Sequence, residues 1–194
     1  MSQEWNAAGD SPRGGWQSHV SDISALLAAC RATDGQGAVV DTDAALCAWR
    51  DAAFRCREQG EIVFVGNGAS ASMASHCAAD IMKNASICTR LFTDLSMVTA
   101  LGNDEGYEKV FMLPIALCMR KRDLLVAISS SGRSPNILRA VEAARGKGAL
   151  VATLSAFDED NSLRALGDWN FFVATRSYGL AESCHATILH YWMD

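Results

Sequence analysis

Residues 66–80 read GNGASASMASHCAAD and follow directly on the apolar run EIVFV. His76 and Asp80 are four apart on a stretch of helical character, so an imidazole and a carboxylate project from one face. A second pair, Glu182 and His190, stands eight apart on the last helical stretch. At 3.6 residues per turn these two lie about 80° apart around the axis, on one broad side. If the two helices meet, two imidazoles and two carboxylates converge. That set suits a divalent metal, and its nitrogen donors favour zinc or a neighbouring transition metal over magnesium. His185 lies on the same last helix, and spacing leaves it open in place of His190. Each residue also has an ordinary reading, His76 as a satisfied structural histidine and Asp80 as a solvated surface acid.

The second candidate is the loop SSSGRSPN at 129–136, with four serines, one glycine and Pro135 suited to a first helical turn. Free backbone N–H groups, hydroxyl donors and the positive end of a helix dipole together bind phosphate. Arg133 either adds charge there or is solvated. The competing reading makes Ser134 a helix cap and the other serines turn residues. Neither loop matches GxxxxGK[ST], and GNGASA departs from GxGxxG because position 71 is alanine. Triphosphate and dinucleotide sites are therefore disfavoured.

These loops need a scaffold that brings them together. EIVFVG, RDLLVAISSSG, KGALVATLSA and WNFFVAT read as four buried strands. Helices are predicted at Ser70–Asn84, Pro135–Lys147 and from about Glu182 to Asp194. Strands apolar on both faces, alternating with helices, indicate a parallel sheet covered on both sides. Ahead of them, Ser18–Ala32 and Thr42–Gln59 form a helical pair divided by the break TDGQG. The first sixteen residues, rich in Gly, Ser and Asp, read as a disordered tail, leaving 17–194 as one doubly wound α/β domain. In such a sheet, ligands bind outside the carboxyl ends of the strands, where both loops lie.

Composition narrows the classes. A chain of 194 residues suffices for one core. Its net charge of −5 argues against a nucleic-acid partner. No stretch is long and apolar enough for a membrane partner, and MSQEWNAAGDSPRGGW has no signal-peptide pattern. Seven cysteines without a CxxC pair suggest reduced thiols and a cytoplasmic location. Cys77 and Cys118 read as small core residues.

The runs VGNGASASMASHCAADI, ALGNDEGYEKVF, ISSSGRSPNILRAVEAARGKG and ESCHATILH, in that order, resemble the sugar isomerase (SIS) domain family and, within it, the phosphoheptose isomerases. The resemblance implies a flavodoxin-like sheet, a homotetramer with active sites shared between subunits, and conversion of sedoheptulose 7-phosphate in bacterial heptose (lipopolysaccharide precursor) biosynthesis. It places the sugar phosphate on Ser129, Ser130, Ser131 and Ser134. Asn67, Gly68, Ala69 and Ser70 then contact the sugar, with Asn103 and Asp104 also lining the site. It assigns one zinc ion to His76, Asp80, Glu182 and His190, with Glu182 also at the substrate, Asp80 as proton-abstracting base and His190 as proton donor. Two departures stand out: Asp80 replaces the family's glutamate, and Glu182 replaces its glutamine. A carboxylate is kept at the base position. The alternative is a non-catalytic phosphosugar-binding or replication-initiator-binding SIS protein; the initiator-binding relative lacks the acid/base pair, which this chain retains.

Overall fold

The computed structural model of the chain describes residues 14–194. In order, the elements are α1 (Gly15–Ala28), β1 (Arg31–Asp34), β2 (Val39–Val40), α2 (Thr42–Gln59), β3 (Ile62–Gly66), α3 (Ala69–Asp80), β4 (Thr89–Leu91), α4 (Leu95–Asp104), α5 (Met112–Cys118), β5 (Leu124–Ser129), α6 (Pro135–Gly146), β6 (Leu150–Ala156), β7 (Trp169–Val173) and α7 (Tyr178–Met193). Most of the tail read over residues 1–16 lies outside the described residues, whereas Gly15 and Trp16 already belong to α1.

The sheet has seven strands in the order β2-β1-β7-β6-β5-β3-β4. Five of them, β4, β3, β5, β6 and β7, run parallel. Within that parallel part the chain steps from β3 outward to β4 and then back across to β5, so the order reverses between β3 and β5. Both faces are covered, which is why these strands read as unbroken apolar runs. Ile62 and Phe64 join Val126 and Phe171 in one core with α2, α3 and α7. Val63 and Val65 join Leu125 and Ile137 in the other, with α5 and α6.

The expectation of a wholly parallel sheet is corrected at one edge. Residues 31–34, partly assigned to the first helix, form β1, which pairs antiparallel with β7 and with β2. TDGQG is the turn of that hairpin. Gly37 takes a φ of 79°, and Asp34 Oδ1 accepts the N–H groups of Gln36 and Ala38, each at 2.9 Å. Ala32 and Thr33 are buried against the sheet, and covering the β7 edge outweighs extending a helix into a Gly-rich turn.

Helix α2 runs over the predicted residues and is capped by Asp41, whose carboxylate accepts from Ala44 N. It buries Trp49, which stacks on Trp192 of α7 with ring centroids 4.0 Å apart and planes 11° from parallel. That contact seats the C-terminal half of α7, and with it His190. Helix α1 differs: it contains no buried residue, and Trp16 is 72% exposed. All seven cysteines are free. Cys77 is buried as expected, but Cys118 is exposed because α5 ends there and presents its last turn outward.

Candidate active site

The serine loop sits where the strand order reverses. Ser129 ends β5, whose Ile128 is in register with Gly66 at the end of β3. A cavity of about 120 Å³ opens there, lined by Ser129, Ser130, Ser131 and Ser134 on one side and by Asn67, Ser70 and Glu182 on the other. Ser134 occupies the N-cap position of α6, but its hydroxyl makes no capping bond; instead it receives a hydrogen bond from Ser129 Oγ at 3.2 Å. The four hydroxyls therefore stay with the cavity, at the N-terminus of a twelve-residue helix, which is the setting that binds an oxyanion. Arg133 points away, paired with Asp160 at 2.8 Å.

The loop holds its shape through residues that sequence reasoning missed. Gly132 has a φ of 60°, and a Cβ there would fall 1.9 Å from Asn161 Oδ1. Asn161 is buried and ties the loop to β6, its Nδ2 donating to Ser155 Oγ (3.2 Å), Ala156 O (3.3 Å) and Asp158 O (2.8 Å). On the opposite wall, the turn before α3 passes close enough that a Cβ at Gly66 would lie 2.6 Å from Ser70 carbonyl carbon. Gly68 occupies the N-cap position with φ 55°, and Ala69 opens α3. Asn103 and Asp104 end α4, exposed and hydrogen-bonded to each other at 2.8 Å, and neither lines the serine cavity. Tyr107, three residues further on, does reach that wall: its hydroxyl donates to Asn67 Oδ1 at 3.3 Å.

Helices α3 and α7 run side by side from this cavity. Along them His76 Nε2 lies 3.3 Å from Asp80 Oδ2, and the rings of His76 and His190 are 5.3 Å apart, tilted by 56°. Asp80 and His190 line a separate cleft of about 410 Å³ together with Arg57, Asn84 and Asp194. Glu182 lines the serine cavity rather than this cleft. Eight residues of α7 separate it axially from His190 by about 12 Å, a span that only extended side chains would bridge. His185 is fully buried, its Nε2 bonded to Ser155 O at 3.1 Å, and burial lowers its pKa from 6.5 to about 4. It is therefore a neutral core residue, and the open choice between the two histidines falls to His190. Burial also pushes the Cys77 thiol up to about 11, so no thiolate is available beside His76.

Among the described residues, no three His, Cys, Asp or Glu side chains are placed so as to hold a metal ion. The donor types at the α3–α7 crossing suit zinc in kind but not yet in placement: His76 lies beside both Asp80 and His190.

The fold and site thus define a class: a doubly wound α/β protein with a serine-rich loop lining a cavity at the switch point and a carboxylate–histidine cluster on the flanking helices. The chain belongs to the SIS domain family, whose sequence profile matches residues 38–156. It is 36% identical over 137 residues to a phosphoheptose isomerase of Solidesulfovibrio magneticus, a match covering 68% of this chain and 66% of that one. It is 34% identical over 142 residues to a phosphoheptose isomerase of Helicobacter pylori, covering 70% of this chain and 73% of the relative. The matched part thus spans just under two thirds of the first of these relatives and rather more of the second. Among solved structures, the phosphoheptose isomerase of Neisseria gonorrhoeae superposes with a TM-score of 0.78 at 26% identity, over 92% of this chain and 95% of that one.

Proposed function

We propose that this chain is a phosphosugar aldose–ketose isomerase that interconverts sedoheptulose 7-phosphate and D-glycero-D-manno-heptose 7-phosphate through an enediol. The observation that carries the reading is the meeting of Asp80, His76 and His190 on the two helices whose first turns frame the serine cavity. The name shared by the relatives supports it. Isomerisation moves one proton between adjacent carbons and needs a base near C1 and C2 and an acid for the oxygens. Asp80 takes the carbon-bound proton. His190 carries protons between the two oxygens, and His76 orients Asp80. The serine hydroxyls hold the phosphate, and Glu182, acceptor-only when ionised, takes a sugar hydroxyl.

The reading includes a zinc ion: His76, Asp80, Glu182 and His190 would have to draw together from their present placement to hold it, and it would supply polarisation of the substrate carbonyl. The proton transfers follow from the side chains alone.

The reading includes a homotetramer with shared sites. Two features support it. The serine cavity and the Asp80–His190 cleft have no lining residue in common. Helix α1 presents Trp16 and Val20 outward, and α4 has no buried residue, which leaves apolar surface for a second copy. A coupled assay of sedoheptulose 7-phosphate isomerisation tests the reading. Turnover that is lost in Asp80→Asn supports it, and absence of any turnover by the wild-type chain contradicts it.

A further inference from the structure

Asn67 and Asn136 face each other across the switch point, one on each loop of the site. Asn67 Nδ2 donates to Asn136 Oδ1 at 3.0 Å, and Asn136 Nδ2 donates to Asn67 Oδ1 at 2.8 Å. Asn136 is only 2% exposed and stands in the first turn of α6. Its Oδ1 also accepts the backbone N–H of Ile137 at 3.1 Å.

That last bond decides the polarity of the pair. A backbone N–H can only donate, so the Asn136 atom facing it is the oxygen. The reciprocal pairing then forces Asn67 to turn its nitrogen toward Asn136 Oδ1 and its oxygen toward Asn136 Nδ2. Tyr107 adds a second donor to Asn67 Oδ1, which uses both lone pairs of that oxygen. What remains is one N–H of Asn67 with no partner among the described residues, on a side chain that lines the serine cavity.

We infer that Asn136 is a positioning residue that fixes Asn67 as a hydrogen-bond donor into the site, so that this wall selects an acceptor oxygen of the ligand. A phosphate, carbonyl or enediolate oxygen is accepted there, whereas a group able only to donate is rejected. The inference rests on the sugar-phosphate reading of the serine cavity and adds a residue that neither the serine loop nor the acid/base cluster includes.

The test measures binding of sedoheptulose 7-phosphate by titration calorimetry to the full chain carrying Asn67→Ala, Asn136→Ala or both. Asn136→Ala is expected to weaken binding about tenfold, the worth of one hydrogen bond to a charged acceptor. In the Asn67→Ala background the same change is expected to cost less than about twofold, because Asn136 acts through Asn67. Should Asn136→Ala fail to fold, Asn136→Asp keeps the shape and the acceptor for Ile137 N–H but sets an oxygen against Asn67 Oδ1, and is expected to weaken binding as much. Losses that simply add, or unchanged binding in Asn136→Asp, would overturn the inference. Ser131→Ala separates the two claims. If it weakens binding while Asn136→Asp does not, only the positioning role fails; if Ser131→Ala leaves binding unchanged, the site reading fails with it.

Discussion

Glu182 and His190 share one helix but serve different cavities, Glu182 the serine hollow and His190 the cleft beside Asp80. With about 12 Å between them along α7, one chain presents the proposed phosphate grip and the proposed proton-transfer groups in two separate cavities. A single substrate must then either stretch along the α3–α7 pair or be gripped by the serine loop of one copy and processed by the helices of another.

Subunit mixing distinguishes these cases. Ser131→Ala weakens the grip and Asp80→Asn removes the base, so each variant alone should be nearly inactive when assayed well below the KM of the Ser131→Ala variant. If sites are shared between copies, refolding the two variants together should restore about one quarter of wild-type turnover, the fraction of sites that draw a sound loop and a sound base from different chains. No recovery on mixing, or sedimentation as a monomer at micromolar concentration, would assign both functions to one chain.

At the serine loop, Ser131→Ala and Ser134→Ala should raise KM for sedoheptulose 7-phosphate while leaving thermal unfolding nearly unchanged. Each lost hydrogen bond to a charged oxygen should cost roughly 1.5–3 kcal/mol, about 10- to 150-fold in affinity. Unaltered KM in the double variant would remove the phosphate from this loop.

The buried His185 makes a prediction about pH. Its folded-state pKa of about 4 lies below the ordinary 6.5, so the unfolded chain binds the extra proton first. The stability contributed by keeping it neutral is therefore full above about pH 6.5 and is lost as pH falls from there toward 4. Its worth is at most about 3 kcal/mol. Chemical denaturation between pH 7 and 4.5 should show that loss, and His185→Gln should flatten the profile. A profile unchanged by that substitution would contradict the assignment.

Metal dependence is measured directly. Zinc content should approach one ion per chain and fall sharply in His76→Ala, with turnover reduced about 10- to 100-fold or more on chelation while sugar-phosphate binding persists through the serines. Full activity in metal-free protein would exclude a metal role.

Much of this architecture was legible before the fold was seen. Strands such as Ile62–Gly66 and Leu124–Ser129 are buried on both faces, so their apolar runs carry no ambiguity. The hairpin Arg31–Val40 was not legible. Its strands are short and half exposed, and their turn glycines mimic a helix break. His76 and Asp80 were found as neighbours because spacing of four on a helix places them there. That Glu182 lines a different cavity from His190 was not legible, because their angle around the helix says nothing of the rise between them. Asn136 and Asn161 gave no signal, since a buried amide is defined by partners distant in the chain, here Asn67 and the β6 end.

Asp80→Asn is the most direct test, because it keeps the side-chain shape and removes only the base. Turnover of sedoheptulose 7-phosphate should fall about 10²–10⁴-fold, the typical worth of a general base, while the calorimetric affinity for the sugar phosphate stays within a few fold. Turnover equal to wild type in this variant would contradict the assignment of Asp80 as the base and, with it, the proposed isomerisation mechanism.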